Sequence, residues 1–240
     1  MDSVSKPIQI KVTNGSIPGF LAQPNAEGVF PGIVVIQEWW GVADHIKEVC
    51  MRLARQGFVA VAPDLYHGKV GRSAEENMAL RAQVSDKGVL QELDGAVAYL
   101  KAQPFVKKER IGAIGFCFGG RYSLLFGCHS KELAATVVYY GPPINTQITE
   151  KTPLNPIELI PNLASPLLGI FGEADASIPL GDVGKLREAL QKAGNSFEIK
   201  TYPGAQHAFN NDTNAERHHP EASKDAWHRT IDFLNRYLKG

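Results

Sequence analysis

Cysteine is scarce in this 240-residue chain, with three residues and no C-x-x-C pair. An odd number of scattered thiols excludes a disulfide framework and fits free thiols in a reducing, cytoplasmic setting. Charge of one sign is also missing, since Lys plus Arg and Asp plus Glu are 25 each. No net field therefore exists to draw nucleic acid or an anionic membrane, and neither is expected as a partner. No apolar run reaches the ~18–20 residues that span a bilayer, and Met1 to Lys6 lack the apolar stretch of a secretory signal. No Gly/Ser-rich, charged or low-complexity linker interrupts the chain, and no internal repeat is found, so residues 1–240 read as a single domain. No H-E-x-x-H or comparable ligand spacing occurs. His218, His219 and His228 with Asp225 read as surface residues, and neither a metal nor an organic cofactor is expected.

What is present is an alternation. Short apolar runs at 32–36, 58–62, 111–114, 135–139, 167–171 and 197–202 are separated by amphipathic segments at 42–56, 87–101, 119–128, 180–192 and 221–237. This pattern predicts an α/β fold with a mostly parallel central sheet and helices on both faces. Residues 8–12 and 17–23, joined around Asn14-Gly15, predict an antiparallel hairpin at the sheet edge. Two polar or Pro-rich stretches, 68–86 and 142–166, have weak periodicity and are expected to fold over the end where binding loops collect.

The most informative residues are Gly115-Phe116-Cys117-Phe118-Gly119, a G-x-S-x-G nucleophile elbow with a thiol in place of the hydroxyl. An apolar strand precedes it and a helix follows. That helix would place unpaired N–H groups and positive dipole beside the sulfur, favouring thiolate. Cys50 lies on the apolar stripe of its helix, and Cys128 ends the helix after Cys117; both read as packing. After Cys117 come an acidic turn, Gly172-Glu173-Ala174-Asp175, and then Gln206-His207, each following a strand. Nucleophile, acid, histidine is the chain order of an α/β-hydrolase triad. Asp175 is the favoured acid, with Glu173 a nearby competitor and an Asx turn as the bland role for Asp175. The Phe118 N–H, next after the nucleophile, is one expected oxyanion donor, and the loop after 32–36 supplies the second.

Three motifs in register, Gln37-Glu38-Trp39-Trp40-Gly41, Gly115-Phe116-Cys117-Phe118-Gly119-Gly120 and Gln206-His207-Ala208-Phe209-Asn210, resemble the dienelactone hydrolase family of α/β-hydrolases. The resemblance runs from about Ile8 to Leu238. It implies an α/β-hydrolase fold, a Cys117-His207-Asp175 triad, the Trp39 backbone as second oxyanion donor, and no cofactor. It also implies that Glu38 keeps the resting thiol protonated and accepts its proton when substrate enters; the structural alternative is a Glu that anchors the Trp39-Trp40 loop. The implied activity is hydrolysis of a carboxylic ester or lactone through an acyl-thioester. A general small-ester carboxylesterase, a thioesterase, or a noncatalytic ligand-binding or redox module on the same fold stand as alternatives.

The family's founding substrate is a lactone bearing a carboxylate, gripped by arginines, one of them a few residues past the catalytic histidine. Here Asn210, Asn211 and Asp212 fill that stretch, and the first arginine is Arg217. Arg81 is a candidate for part of an anion clamp, with Arg72 its equal. Tyr140 and Phe209 are candidates for the pocket lining. Arg121 reads either as a carboxylate ligand or as one half of a salt bridge. A small-molecule substrate and a monomer or small homo-oligomer complete the expectations.

Overall fold

A computed structural model describes residues 1–240. Its strands are β1 (Ser3–Val12), β2 (Gly15–Pro24), β3 (Phe30–Ile36), β4 (Val59–Pro63), β5 (Val106–Phe116), β6 (Leu133–Tyr139), β7 (Leu167–Gly172) and β8 (Phe197–Tyr202). The helices are α1 (Asp44–Arg55), α2 (Ala74–Arg81), α3 (Asp86–Lys101), α4 (Phe118–His129), α5 (Leu180–Ala193) and α6 (Pro220–Leu238), with a 3-10 helix at Pro156–Asn162. The strands form one sheet in the order β1-β2-β4-β3-β5-β6-β7-β8. The β1–β2 hairpin is antiparallel and pairs antiparallel with β4, and every pair from β4 through β3 to β8 is parallel.

The alternation of side chains along a strand sorts the apolar runs onto two faces. In β3, Ile33 and Val35 enter one core while Val34 and Ile36 enter the other; in β4, Ala60 and Ala62 oppose Val59 and Val61 in the same way. Ile46, Val49 and Leu53 of α1, Val183, Leu186 and Leu190 of α5, and Ile231 and Leu234 of α6 cover the first face. Val89, Leu93 and Val97 of α3 cover the second, together with Leu125 and Phe126 of α4. Both faces are thus removed from water, which is why these strands are apolar throughout rather than alternating with polar residues.

Two elements exceed what periodicity predicts. The charged run Lys107 to Arg110 hides the first half of β5: those residues are exposed, Val106 and Lys107 pair with Phe30 and Pro31, and the register then shifts so that Ile111 pairs with Gly32. The α2 helix lies within the stretch expected to be irregular. It buries only Asn77, so it carries almost no apolar stripe, but Ser73 Oγ accepts from Glu76 N at 3.1 Å and Glu76 Oε2 accepts from Arg72 N at 2.6 Å. Ser73-x-x-Glu76 is therefore a capping signal readable from sequence, and it marks the helix that hydrophobic patterning misses.

In the parallel part of the sheet the C-terminal ends of β3, β5, β6, β7 and β8 lie along one edge. The loops carrying Glu38, Cys117, Tyr140, Asp175 and His207 all leave from that edge. Above it the 68–86 and 142–166 stretches are joined to each other. Lys151 Nζ donates to the Ala82 carbonyl at 2.9 Å, and Asp86 N donates to the Lys151 carbonyl at 2.8 Å. No helix is long and apolar enough to cross a membrane.

Candidate active site

Cys117 sits at the tightest point of the chain, between β5 and α4, with φ 55° and ψ −115°. A non-glycine residue held there stores about 1–3 kcal/mol of backbone strain. The surroundings hold it in place: Cys117 N donates to the Tyr139 carbonyl at 3.0 Å, and its own carbonyl accepts from Arg121 N at 3.2 Å. The flanking glycines are sterically required. A Cβ on Gly115 would overlap the Gly119 carbonyl, and one on Gly119 would overlap the carbonyls of Ile36 and Gln37. Phe118 is the first residue of α4, so its N–H has no acceptor one turn back and points toward the sulfur end of the helix.

Three side chains from three strand ends meet at this elbow. His207 Nε2 lies 3.0 Å from Cys117 Sγ, and His207 Nδ1 lies 2.7 Å from Asp175 Oδ2. The other Asp175 oxygen, Oδ1, accepts from Ser177 N at 2.7 Å and Ile178 N at 3.1 Å. Asp175 therefore makes both the Asx turn and the histidine contact, one oxygen for each. Glu173, the competing acid, is exposed and accepts from Thr201 Oγ1 at 2.7 Å. Burial works against protonation of His207, but the hydrogen bonds to Asp175 and Cys117 and the charges of both outweigh it and push the imidazole up to about 10. A ring that holds its proton between a carboxylate and a sulfur has the charge pattern of an activated thiol–imidazole couple.

Glu38 is 4 % exposed. Its Oε2 accepts from Asn211 Nδ2 at 2.8 Å, Oε1 is buried without a partner, and neither oxygen is bonded to Cys117. Burial raises its carboxyl above the usual range; the charge of His45, the Asn211 bond, the charge of His207 and the Tyr140 hydroxyl pull in the opposite direction. Asn211 is held for this role by Thr213, whose N and Oγ1 both donate to Asn211 Oδ1, at 3.0 and 2.7 Å. Asn210 and Asn211 thus turn inward, Asn211 onto Glu38, while Asp212 stays exposed.

Trp39 is half-buried, and its N–H donates to no backbone carbonyl. The loop is pinned by Gly41 N donating to the Glu38 carbonyl at 3.1 Å and by the Tyr66 hydroxyl donating to the Trp39 carbonyl at 3.0 Å. Tyr66 belongs to the site without any sequence signal that singles it out. It sits within electrostatic reach of both Cys117 and Arg81, and burial is the main reason its phenol is pushed above its ordinary range. Beside Phe118 opens a cleft of ≈ 690 Å³, lined by Arg81, Met78, Tyr122, Asn145 and Thr152 among others. Arg81 lies on its exposed rim, whereas Arg72 is not part of this lining.

Two pocket expectations are corrected. Tyr140 and Phe209 are fully buried, so neither presents surface to substrate. Phe209 packs between the rings of Tyr140 and Tyr202, at 5.5 and 5.4 Å, and Tyr140 stands edge-on to His207 at 5.3 Å. They back the histidine loop from beneath, because the apolar interior gains more from two aromatic rings than a wet cleft does. The Tyr140 hydroxyl is buried without a hydrogen bond, and its phenol is pushed up by burial and by the nearby Glu38 and Cys117. Arg121 resolves to the salt bridge: it holds Asp86 through two contacts of 2.7 and 3.2 Å and donates to the Leu154 carbonyl at 2.7 Å. Cys50 and Cys128 are buried, and burial pushes both thiols up, Cys128 to about 12, which leaves them inert. His219 caps α6 at Ala222 N, and Asp225 is taken by Tyr202 and Arg229.

A mostly parallel sheet whose strand ends present a nucleophile elbow, then an acid, then a histidine is the frame of an α/β-hydrolase. Within that class the chain matches the model of the dienelactone hydrolase family over residues 17–238, and it belongs to that family. A Methylorubrum extorquens protein named "Putative carboxymethylenebutenolidase" is 35 % identical over 235 residues, covering 96 % of this chain and 80 % of its own. A crystal structure from Klebsiella pneumoniae, "Putative Dienelactone Hydrolase", superposes with a TM-score of 0.92 at 34 % identity, over 99 % of this chain and 100 % of its own. The acylaminoacyl peptidase of Pyrococcus horikoshii shares the fold alone, with a TM-score of 0.80 at 18 % identity over all of this chain and 42 % of that one. The chain is a carboxylic ester hydrolase of the dienelactone hydrolase type.

Proposed function

We propose that Cys117 is the nucleophile of this hydrolase and that ester or lactone cleavage passes through an acyl-thioester on its sulfur. The carrying observation is the continuous contact Asp175 Oδ2–His207 Nδ1 and His207 Nε2–Cys117 Sγ, at 2.7 and 3.0 Å. The Cys117 thiolate attacks the carbonyl carbon, and the oxyanion forms between the N–H groups of Phe118 and Trp39. His207 then gives its proton to the leaving alkoxide; in a lactone that alkoxide stays tethered to the acyl group. Water, deprotonated by His207, attacks the thioester and frees Cys117. Asp175 holds the imidazole with Nε2 toward sulfur and stabilises its charged form. Glu38 takes the thiol proton when substrate enters and leaves Cys117 paired with His207.

The ≈ 690 Å³ cleft beside Phe118 suits a small ester or lactone, and Arg81 on its rim offers a charge for an anionic substituent. With Asn210, Asn211 and Asp212 after the histidine, the second cation that a carboxylate clamp uses in this family is missing. A neutral or singly anchored ester is the substrate class that fits these residues. The test is hydrolysis of a dienelactone beside a small neutral ester by wild type and Cys117→Ala, with mass spectrometry of the quenched enzyme. A Cys117-dependent rate with an acyl adduct on Cys117 is expected. No Cys117-dependent rate on either substrate would return the chain to a noncatalytic binding role.

A further inference from the structure

A second cleft, of ≈ 580 Å³, opens on Glu38 from between the start of α1 and the loop after His207. Its lining includes Glu38, His45, Asn211 and Asn214 and shares no residue with the substrate cleft beside Phe118. His45, the second residue of α1, is 4 % exposed. Its Nδ1 lies 3.5 Å from Asp212 Oδ1, an exposed carboxylate, and its Nε2 is buried with no partner. Glu38 Oε1 is also buried with no partner. Both residues line one solvent-connected cleft, and unpaired acid–base atoms buried just behind its wall are costly to keep, since buried polar groups are almost always hydrogen-bonded. His45 also exerts the largest charge effect on Glu38 of any neighbour.

Hydrolysis of a neutral ester at neutral pH yields an alcohol and a carboxylate, and so releases one proton per turnover. We propose that His45 is a positioning residue acting through Glu38: it carries the proton that Glu38 receives from Cys117 out through the rear cleft to solvent, with Asp212 stabilising the charged ring. The S–H bond of Cys117 breaks and an O–H bond forms on Glu38. Through one water that proton reaches His45 Nε2 and makes an imidazolium whose Nδ1–H faces Asp212 Oδ1 at 3.5 Å; Nε2 then releases it to water of the rear cleft. Glu38 returns to carboxylate and His45 to its starting tautomer, and the proton of the acid product restores the Cys117 S–H bond, so one proton leaves per turnover. The other charged groups at this cleft are Asp44 on α1 and Glu216 on the loop after His207, and His207 faces Glu38 from the catalytic side. This inference rests on the reading of Glu38 as the acceptor of the thiol proton.

The test is single-turnover acylation with a chromogenic ester for His45→Gln, His45→Ala, Asp212→Asn and Glu38→Gln, each checked for folding by circular dichroism. His45→Gln keeps the size and hydrogen bonding of the ring but carries no proton. It is expected to lower the acylation rate about 10- to 100-fold, toward the lower end of what a positioned proton-transfer group contributes, with KM little changed. His45→Ala is expected to recover rate with added imidazole in proportion to its free base. That rescue should vanish when Glu38→Gln is also present, because the two act in one relay. Asp212→Asn, on the exposed rim, is expected to fold normally and to slow acylation severalfold. Wild-type rates in His45→Gln and Asp212→Asn, or a His45→Ala defect that imidazole leaves unchanged, would overturn the relay. An unimpaired Glu38→Gln would instead overturn the role of Glu38 itself, so the two failures are distinguishable.

Discussion

Asn211 Nδ2 donates to Glu38 Oε2 at 2.8 Å, and neither oxygen of this buried Glu38 is bonded to Cys117, which contacts His207 instead. A like charge facing the thiol would oppose its ionisation, and the Asn211 bond commits one Glu38 oxygen elsewhere.

This burial has a stability consequence. Glu38 is raised above its ordinary carboxyl range mainly by desolvation, so the folded state binds its proton more tightly than the unfolded chain does. Stability contributed by that proton is present at low pH and is lost as pH rises from the unfolded value of 4.5 through the folded one. Glu38→Gln escapes this loss. Its melting temperature should gain on that of wild type as pH climbs above 4.5, and the difference should level once the folded carboxyl has ionised. Parallel Tm curves for the two proteins across pH would show that Glu38 titrates alike in both states.

His207 has the same sign of pH dependence from a different cause. Its imidazole is pushed up to about 10 by Asp175 and Cys117 against the effect of burial. The resulting stabilisation is complete below the unfolded value of 6.5 and is lost as pH rises through about 10. Cys117→Ala removes one of the two raising partners. In an NMR titration His207 is expected to titrate above the other histidines in wild type and to move down in Cys117→Ala; no downward movement would uncouple the ring from the sulfur.

Asp86 is the second buried acid to examine. It accepts two contacts from Arg121, at 2.7 and 3.2 Å, one from the Tyr122 hydroxyl at 3.0 Å and one from Leu154 N at 2.9 Å. This joins the start of α3, the first turn of α4 and the loop that walls the substrate cleft. Asp86→Ala leaves the Arg121 guanidinium buried without its counter-charge, at a cost of about 3–5 kcal/mol. Urea unfolding should show the lowered midpoint. KM should rise as the 142–154 loop loosens, whereas a stable variant with unchanged KM would mean that the loop is held by its other contacts.

Much of the site was legible in local pattern. The G-F-C-F-G elbow announces itself because a nucleophile at positive φ between a strand and a helix admits only glycine at its closest neighbours. Asp175 and His207 each follow an apolar run, so chain order alone singles them out. Tyr140 and Phe209 are different: each is a plausible cleft residue by type but is fully buried, while Arg121 reaches the cleft wall with its guanidinium already held by Asp86. Asn211 carried no local signal toward Glu38, 173 residues away in the chain. His45 sits inside an ordinary amphipathic helix, and Tyr66 beyond the end of a strand.

The sequence by itself determined the α/β architecture, the sheet-edge hairpin and the chain order of cysteine elbow, acid and histidine, because periodicity, glycine sterics and strand-end position act over a few neighbouring residues. Tertiary structure alone decided that Asp175 rather than Glu173 reaches His207, that Glu38 faces Asn211, and that Tyr140 lies behind the histidine instead of in the cleft. Those outcomes depend on distances and burial set jointly by segments far apart in the chain, and desolvation and hydrogen-bond geometry exist only once the segments have met.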